Sequence, residues 1–238
     1  MALTPDRDAL AEAIGGFPVF EHLPRAARRE LAGAARLLAC DQRTRLLASG
    51  DWHRSLFMAI EGQIDLCGSS SDGEEVTLAT LGPGQASSWV AIYHTSAARR
   101  DLVATAGAKV LAIPHDFIRS LLERYPALFP HILAMEGSRF RALLDWQQQS
   151  LVSNRERRVA LLLLLLVQLS GETGEQPLVR LSGERLARSA QCSRQTLMTA
   201  LRKLQAAGWI HQGYGKVQLL DVPKLRAFAE DQDQRPKS

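Results

Sequence analysis

Two periods alternate along the chain. After the Leu23-Pro24 break, Leu31, Ala34, Ala35 and Leu38 recur at helical spacing, which predicts helix over most of the first forty residues. A shorter period takes over at about Arg45. Apolar or alternating runs at Leu56–Ile60, Ile64–Cys67, Val76–Ala79, Leu102–Thr105 and Val110–Ile113 are separated by Gly50, Gly62, Ser71-Asp72-Gly73, Gly82-Pro83-Gly84 and Gly107. Short runs punctuated by glycine turns predict an all-β roll or barrel. After Pro114 the helical period returns in Phe117, Leu121 and Leu122, until Pro126 interrupts it. A long helix is then expected from Leu128 to about Leu151. Its apolar residues Ile132, Met135, Phe140, Leu143, Leu144, Trp146 and Leu151 spread over more than one face. An arc that wide buries one side on its own domain and another on a partner, so a dimer seam is expected here.

Ser153-Asn154-Arg155-Glu156 has the form of a capping box, and marks a new start ahead of a leucine-rich helix over Arg155–Leu169. A polar loop from Ser170 to Gln176 follows, then a short strand at Leu178–Leu181 and two short helices at 183–190 and 193–206. Gly213-Tyr214-Gly215 turns between Trp209-Ile210 and Val217–Leu220. Helix, strand, helix, turn, helix and hairpin is the order of a winged helix-turn-helix. The predicted class is α+β, with a β-roll over 1–125, a long helix over 126–152 and a winged helix-turn-helix over 153–238.

Composition sharpens this picture in three ways. The run Val159–Val167 is too short for a membrane span, and the opening Met1–Ile14 has no apolar signal segment, so a cytoplasmic protein without membrane attachment is expected. Cys40, Cys67 and Cys192 lie far apart without a C-x-x-C pair, which signals neither disulfides nor a zinc or iron–sulfur site. The charge is uneven. Residues 1–150 carry 15 Lys+Arg against 17 Asp+Glu, a balance of −2, whereas 151–238 carry 14 against 8, a balance of +6. A basic C-terminal domain on a slightly acidic body suits a polyanionic partner.

The segment from Leu181 to Ile210 assigns roles within that basic domain. Leu186 and Ala187 face inward, and a tight turn lies around Ala190 to Cys192. Leu197, Leu201 and Leu204 bury one side of the next helix, so that Arg194, Gln195, Met198, Thr199 and Arg202 project from the other. Arg194, Gln195 and Thr199 are candidates for contacts to base edges in the major groove, with Arg194 suited to guanine. Ser193 and Thr196 at the helix start, with Arg188, Arg202, Lys203 and Lys216, are candidates for phosphate contacts.

Cys192-Ser-Arg-Gln-Thr-Leu-x-x-x-Leu-x-x-Leu204, ending in Gly208-Trp209-Ile210, resembles the recognition-helix signature of the CRP/FNR family of transcription regulators. The similarity extends to Gly50, Leu56-Phe57, Gly62-Gln63-Ile64 and Leu81-Gly82-Pro83-Gly84, which fall where that family places its roll glycines and strands. It covers roughly residues 17 to 220. The resemblance implies a homodimer on a two-fold-symmetric site in double-stranded DNA, with RNA polymerase as a further partner if the protein activates. It also implies an effector in the roll that repositions the recognition helices.

The match departs from the cyclic-nucleotide branch. Trp89 stands near the Glu expected for the ribose, Arg99 and Arg100 lie near the phosphate position without a following Ser or Thr, and Leu143-Leu144 occupy the base-contacting positions of the long helix. Those five residues are the candidate effector pocket, and it disfavours cAMP. Lone cysteines disfavour an iron–sulfur cluster. Haem, a hydrophobic metabolite or no ligand stay open; His22, His53, His94, His115, His131 and His211 are each isolated in sequence. In the recognition helix, Gln195 and Thr199 replace the Glu and second Arg of the cAMP-binding branch, so a different half-site is expected. An enzyme is disfavoured by the absence of H-x-H, H-E-x-x-H or nucleophile-elbow motifs. A regulatory subunit acting on a protein partner would need no basic reading helix, and a scaffold roll on a constitutive DNA binder is the remaining alternative.

Overall fold

The computed structural model describes residues 6–69, 75–94, 96–150, 154–170 and 174–230, with backbone only at 148–150. It divides into two compact units, residues 1–138 and 139–238. The division falls inside the long helix, not at the 152/153 position that the capping pattern suggests.

The first unit opens with helices α1 (Arg7–Gly15) and α2 (Arg25–Ala34). Helical spacing predicted that α2 would continue through Leu38; instead Ala35 turns extended and β1 (Arg36–Cys40) pairs antiparallel with β7 (Ala108–Pro114), Leu38 opposite Val110. Tertiary pairing overrides a helical spacing that was only local. The remaining strands are β2 (Thr44–Leu47), β3 (Ser55–Glu61), β4 (Ile64–Ser69), β5 (Glu75–Leu81) and β6 (Asp101–Ala104), so the predicted apolar runs are strands. They form two antiparallel sheets, β1-β7-β3 and β2-β6-β4-β5.

Strict alternation in β3 and β7 gives the roll two cores. Phe57, Ala59, Val110 and Ala112 point between the sheets, where they meet Ile64, Leu81, Leu102 and Ala104. Leu56, Met58, Leu111 and Ile113 point the other way, onto Ile14, Phe20 and Leu31 of the N-terminal segment and Ile118, Leu121 and Leu122 of α3 (His115–Arg124). The β3–β4 turn requires glycine twice over: Gly62 has φ +72°, and a Cβ there would stand 2.8 Å from Ala108 Cα. Helix α4 (Leu128–Ser150) begins in this unit.

The second unit contains the rest of α4, then α5 (Arg155–Ser170), β8 (Leu178–Val179), α6 (Gly183–Ser189), α7 (Arg194–Ala206), β9 (Ile210–Gly213), β10 (Lys216–Leu219) and α8 (Val222–Glu230). The strands form one sheet in the order β8-β10-β9. The cap of α5 differs from the expected box. Asn154 Oδ1 accepts from Arg157 N at 3.1 Å, while Glu156 reaches forward to Lys203; Ser153 lies outside the described residues. Strand β8 is shorter than expected because Ser182 already caps α6, accepting from Arg185 N. The leucine run of α5 is buried on nearly every side, from Val159 through Leu166. Among the described residues no helix is long and apolar enough to cross a membrane.

Candidate nucleic-acid interface and effector cleft

Helix α7 is anchored along one face and open along the other. Leu197, Ala200, Leu201 and Leu204 are at most 1% exposed, whereas Arg194, Gln195, Thr199 and Arg202 all face solvent. The approach from α6 is short. Cys192 N donates to the Ala187 carbonyl at 3.0 Å, and Gln191 bridges the helices in the left-handed region, φ +52°. Ser193 caps α7, its Oγ accepting from Thr196 N at 3.1 Å and lying 2.9 Å from Thr196 Oγ1. Both expected phosphate-binding hydroxyls thus help to fix the helix start. Thr199 donates its hydroxyl to the Gln195 carbonyl at 3.0 Å, which leaves its methyl and lone pairs outward.

The basic candidates divide by their partners. Arg188 is paired with Glu184 of its own helix at 2.9 Å, and Lys203 with Glu156, whose carboxyl is held below the usual range chiefly by that hydrogen bond. Lys203 is thus engaged with α5 while its side chain stays largely exposed. Arg202 and Lys216 are exposed. Sequence reasoning passed over the link between wing and helix: Gln212 N donates to Gln205 Oε1 at 2.8 Å, and Gln212 Nε2 to Met198 Sδ at 3.5 Å. It also passed over Tyr214, fully exposed at the hairpin tip. The only signal for either was the Gly-Tyr-Gly turn.

In the first unit, Arg99 and Arg100 border a polar cleft of about 550 Å³ with Arg45, Ser49, Gly68 and Leu78. Arg45 pairs with Asp101 at 3.5 Å, and Arg100 Nη1 donates to the Arg99 carbonyl at 2.7 Å. A Cβ on Gly68 would approach Leu78 Cδ1 to 3.2 Å and Arg100 Cδ to 3.4 Å, so the glycine keeps this wall open. Trp89 does not belong to the cleft, contrary to expectation. It is 3% exposed and packs edge-on against Phe20, centroids 5.9 Å apart, because an indole in an apolar cluster gains more from burial than from a polar rim.

The two units match two family models: a cyclic nucleotide-binding domain over residues 39–125 and a Crp-like helix-turn-helix domain over 157–228. The chain belongs to the CRP/FNR family. Among its relatives is the cyclic AMP receptor protein of Thermus thermophilus, 28% identical over 181 residues, which are 76% of this chain and 82% of that protein. The CRP-like cAMP-activated global transcriptional regulator of Mycobacterium tuberculosis is 24% identical over 184 residues, with the same coverage. FixK2 from Bradyrhizobium japonicum has the same fold, with a TM-score of 0.66 at 16% identity, over 83% of this chain and 98% of that one. It is a CRP/FNR-type transcription regulator whose second unit carries the helix-turn-helix domain of that family.

The long helix of this CRP/FNR protein sorts its apolar residues differently from the sequence reading. Ile132 is buried in the roll-side core and Met135 packs against it, while Trp146 packs on the core of the second unit. Phe140, Leu143 and Leu144 remain exposed, joined by Leu133 at 68% exposure, which sequence reasoning omitted. Leu133, Gly137, Phe140 and Leu144 follow one another at four, three and four residues, the spacing of a coiled-coil seam. Leu151 lies outside the described residues. The histidines are not all isolated: His53 meets His115 at 6.3 Å between ring centroids, and His22 meets His131 at 5.6 Å. Among the described residues no three of His, Cys, Asp and Glu gather as a metal site would need. Burial pushes the Cys67 thiol up to about 11.

Proposed function

We propose that the protein acts in the cytoplasm as a homodimer on a two-fold-symmetric DNA site, gated by an effector other than cAMP. The observation that carries the reading is the outer face of α7, where Arg194 and Gln195 are exposed on a helix whose opposite face is fully buried. Arg194 reads a guanine in each half-site, and Gln195 and Thr199 contact its neighbours, at about 1–3 kcal/mol of discrimination for each good pair. Arg202 and Lys216 hold phosphates. The exposed seam of α4 supports dimerisation, and RNA polymerase is the further partner if the protein activates.

Two relatives are named for cAMP, yet Trp89 near the expected ribose acceptor is core. The cleft beside Arg99 and Arg100 is lined by Glu75 and Asp101 too, with Arg45 paired to Asp101, and its arginines suit an anionic group on whichever effector binds. A constitutive binder with a scaffold roll is favoured by the tight apolar packing between the sheets. Selection from a randomised duplex pool, with purified protein and no added ligand, separates these readings. Enrichment of a palindrome with a guanine in each half, lost in Arg194→Ala, supports site-specific binding without an obligatory effector. If nothing is enriched, residues 153–238 are tested alone at low salt: binding there places the roll as a gate, and no binding overturns the DNA-binding assignment.

A further inference from the structure

His53 lies in the connection between β2 and β3, and His115 is the first residue of α3. Their rings lie within 10° of parallel. His115 is only 7% exposed, its Nε2 is buried without a hydrogen-bond partner, and Nδ1 of His53 is buried and unpartnered as well. In a neutral imidazole one of the two ring nitrogens carries no proton, so neither buried ring needs a second partner while it stays uncharged. The main chain meets here too: His115 N donates to the Arg54 carbonyl at 3.0 Å.

Nearly everything around His115 opposes a positive charge. Its position is the positive end of the α3 dipole. Arg119 stands one turn on, its guanidinium donating to the Ile92 carbonyl and to Asp116. His53 faces it from the β2–β3 connection. Arg54, at the entry to β3, offers its carbonyl while the residue itself is exposed. Asp116 and the Ser55 backbone favour the proton, but burial, His53 and Arg119 outweigh them, and the His115 imidazole is held below its ordinary value. Burial lowers His53 in the same direction.

We propose that His53 and His115 form a proton-sensitive latch, which pins the β2–β3 connection to the start of α3 while both rings are neutral and releases it in acid. Protonating one ring places a cation against the other and hydrates a buried nitrogen, so the two cannot both charge in place. Helix α3 leads through Tyr125 to Leu128 directly into α4, and release at His115 frees the first turn of α3. At pH 7.5 both rings are neutral in folded and unfolded chains, and the latch contributes its full stability. As pH falls through 6.5 the unfolded chain takes up protons that the folded chain refuses, and stability is lost.

The test uses the full chain. Imidazole signals are followed by NMR from pH 8 to 4.5, and the urea midpoint is measured at pH 7.5 and 5.0 for wild type, His115→Gln and His53→Asn. Two imidazoles are expected to titrate below 6.5, and the acid drop in midpoint should be smaller in each variant than in wild type. Titration of both rings at or above 6.5 overturns the proposal, as does an equal acid drop in all three proteins. Should His115→Gln fail to fold, the wild-type titration and the His53→Asn midpoint still decide.

Discussion

Gln191 carries the sharpest backbone demand in the DNA-binding unit, a left-handed φ without glycine's freedom. A β-branched side chain there meets its own backbone, so Gln191→Val is expected to lower stability by about 1–2 kcal/mol, while Gln191→Gly is tolerated; urea unfolding of the two variants checks this. Arg194 on α7 and Lys216 on β10 are expected to fail in different ways. Arg194→Ala should relax discrimination at one base pair, a loss of about 1–3 kcal/mol against the preferred base. Lys216→Ala should weaken all sequences alike and reduce the salt dependence of binding by about one phosphate contact. Titrations at several salt concentrations on matched and mismatched duplexes separate the two outcomes.

At the scale of elements, α7 is held by its buried leucines, whereas α4 carries exposed ones. Leu201 is 1% exposed, and Leu201→Ala should cost about 2–5 kcal/mol through the cavity it leaves. Gly137 gives the converse case. It sits mid-helix on the Leu133–Phe140–Leu144 line, and a Cβ there would meet nothing within 4 Å in the single chain. A helical glycine with open space at its Cβ position is about 0.5–1 kcal/mol worse than alanine, so Gly137→Ala should stabilise α4 in isolation. If the seam is the dimer contact, Gly137→Leu should instead weaken dimerisation, because a second helix crosses close to that position. Sedimentation equilibrium measures the effect, and an unchanged dimer constant would remove Gly137 from the interface.

For the whole molecule, the apolar clusters on either side of the 138/139 division give each unit its own core. Calorimetry is expected to resolve two transitions, with Leu201→Ala lowering the one assigned to the second unit and Ile118→Ala the other. A single transition moved equally by both substitutions would contradict that independence.

The hydrophobic pattern by itself determined the two halves, the roll strands and the winged helix-turn-helix, because alternation at two residues and recurrence at three to four are local properties of the chain. It also determined that Leu197, Leu201 and Leu204 would be buried and Arg194 and Gln195 exposed. Tertiary structure decided what depends on neighbours distant in sequence. Leu38 became strand because β7 was there to pair with it, Trp89 became core because Phe20 was there to receive it, and Lys203 turned to Glu156, 47 residues away. Sequence spacing could not bring His53 to His115 or separate Leu133 from Ile132, since both outcomes rest on which packed surface each side chain meets in three dimensions.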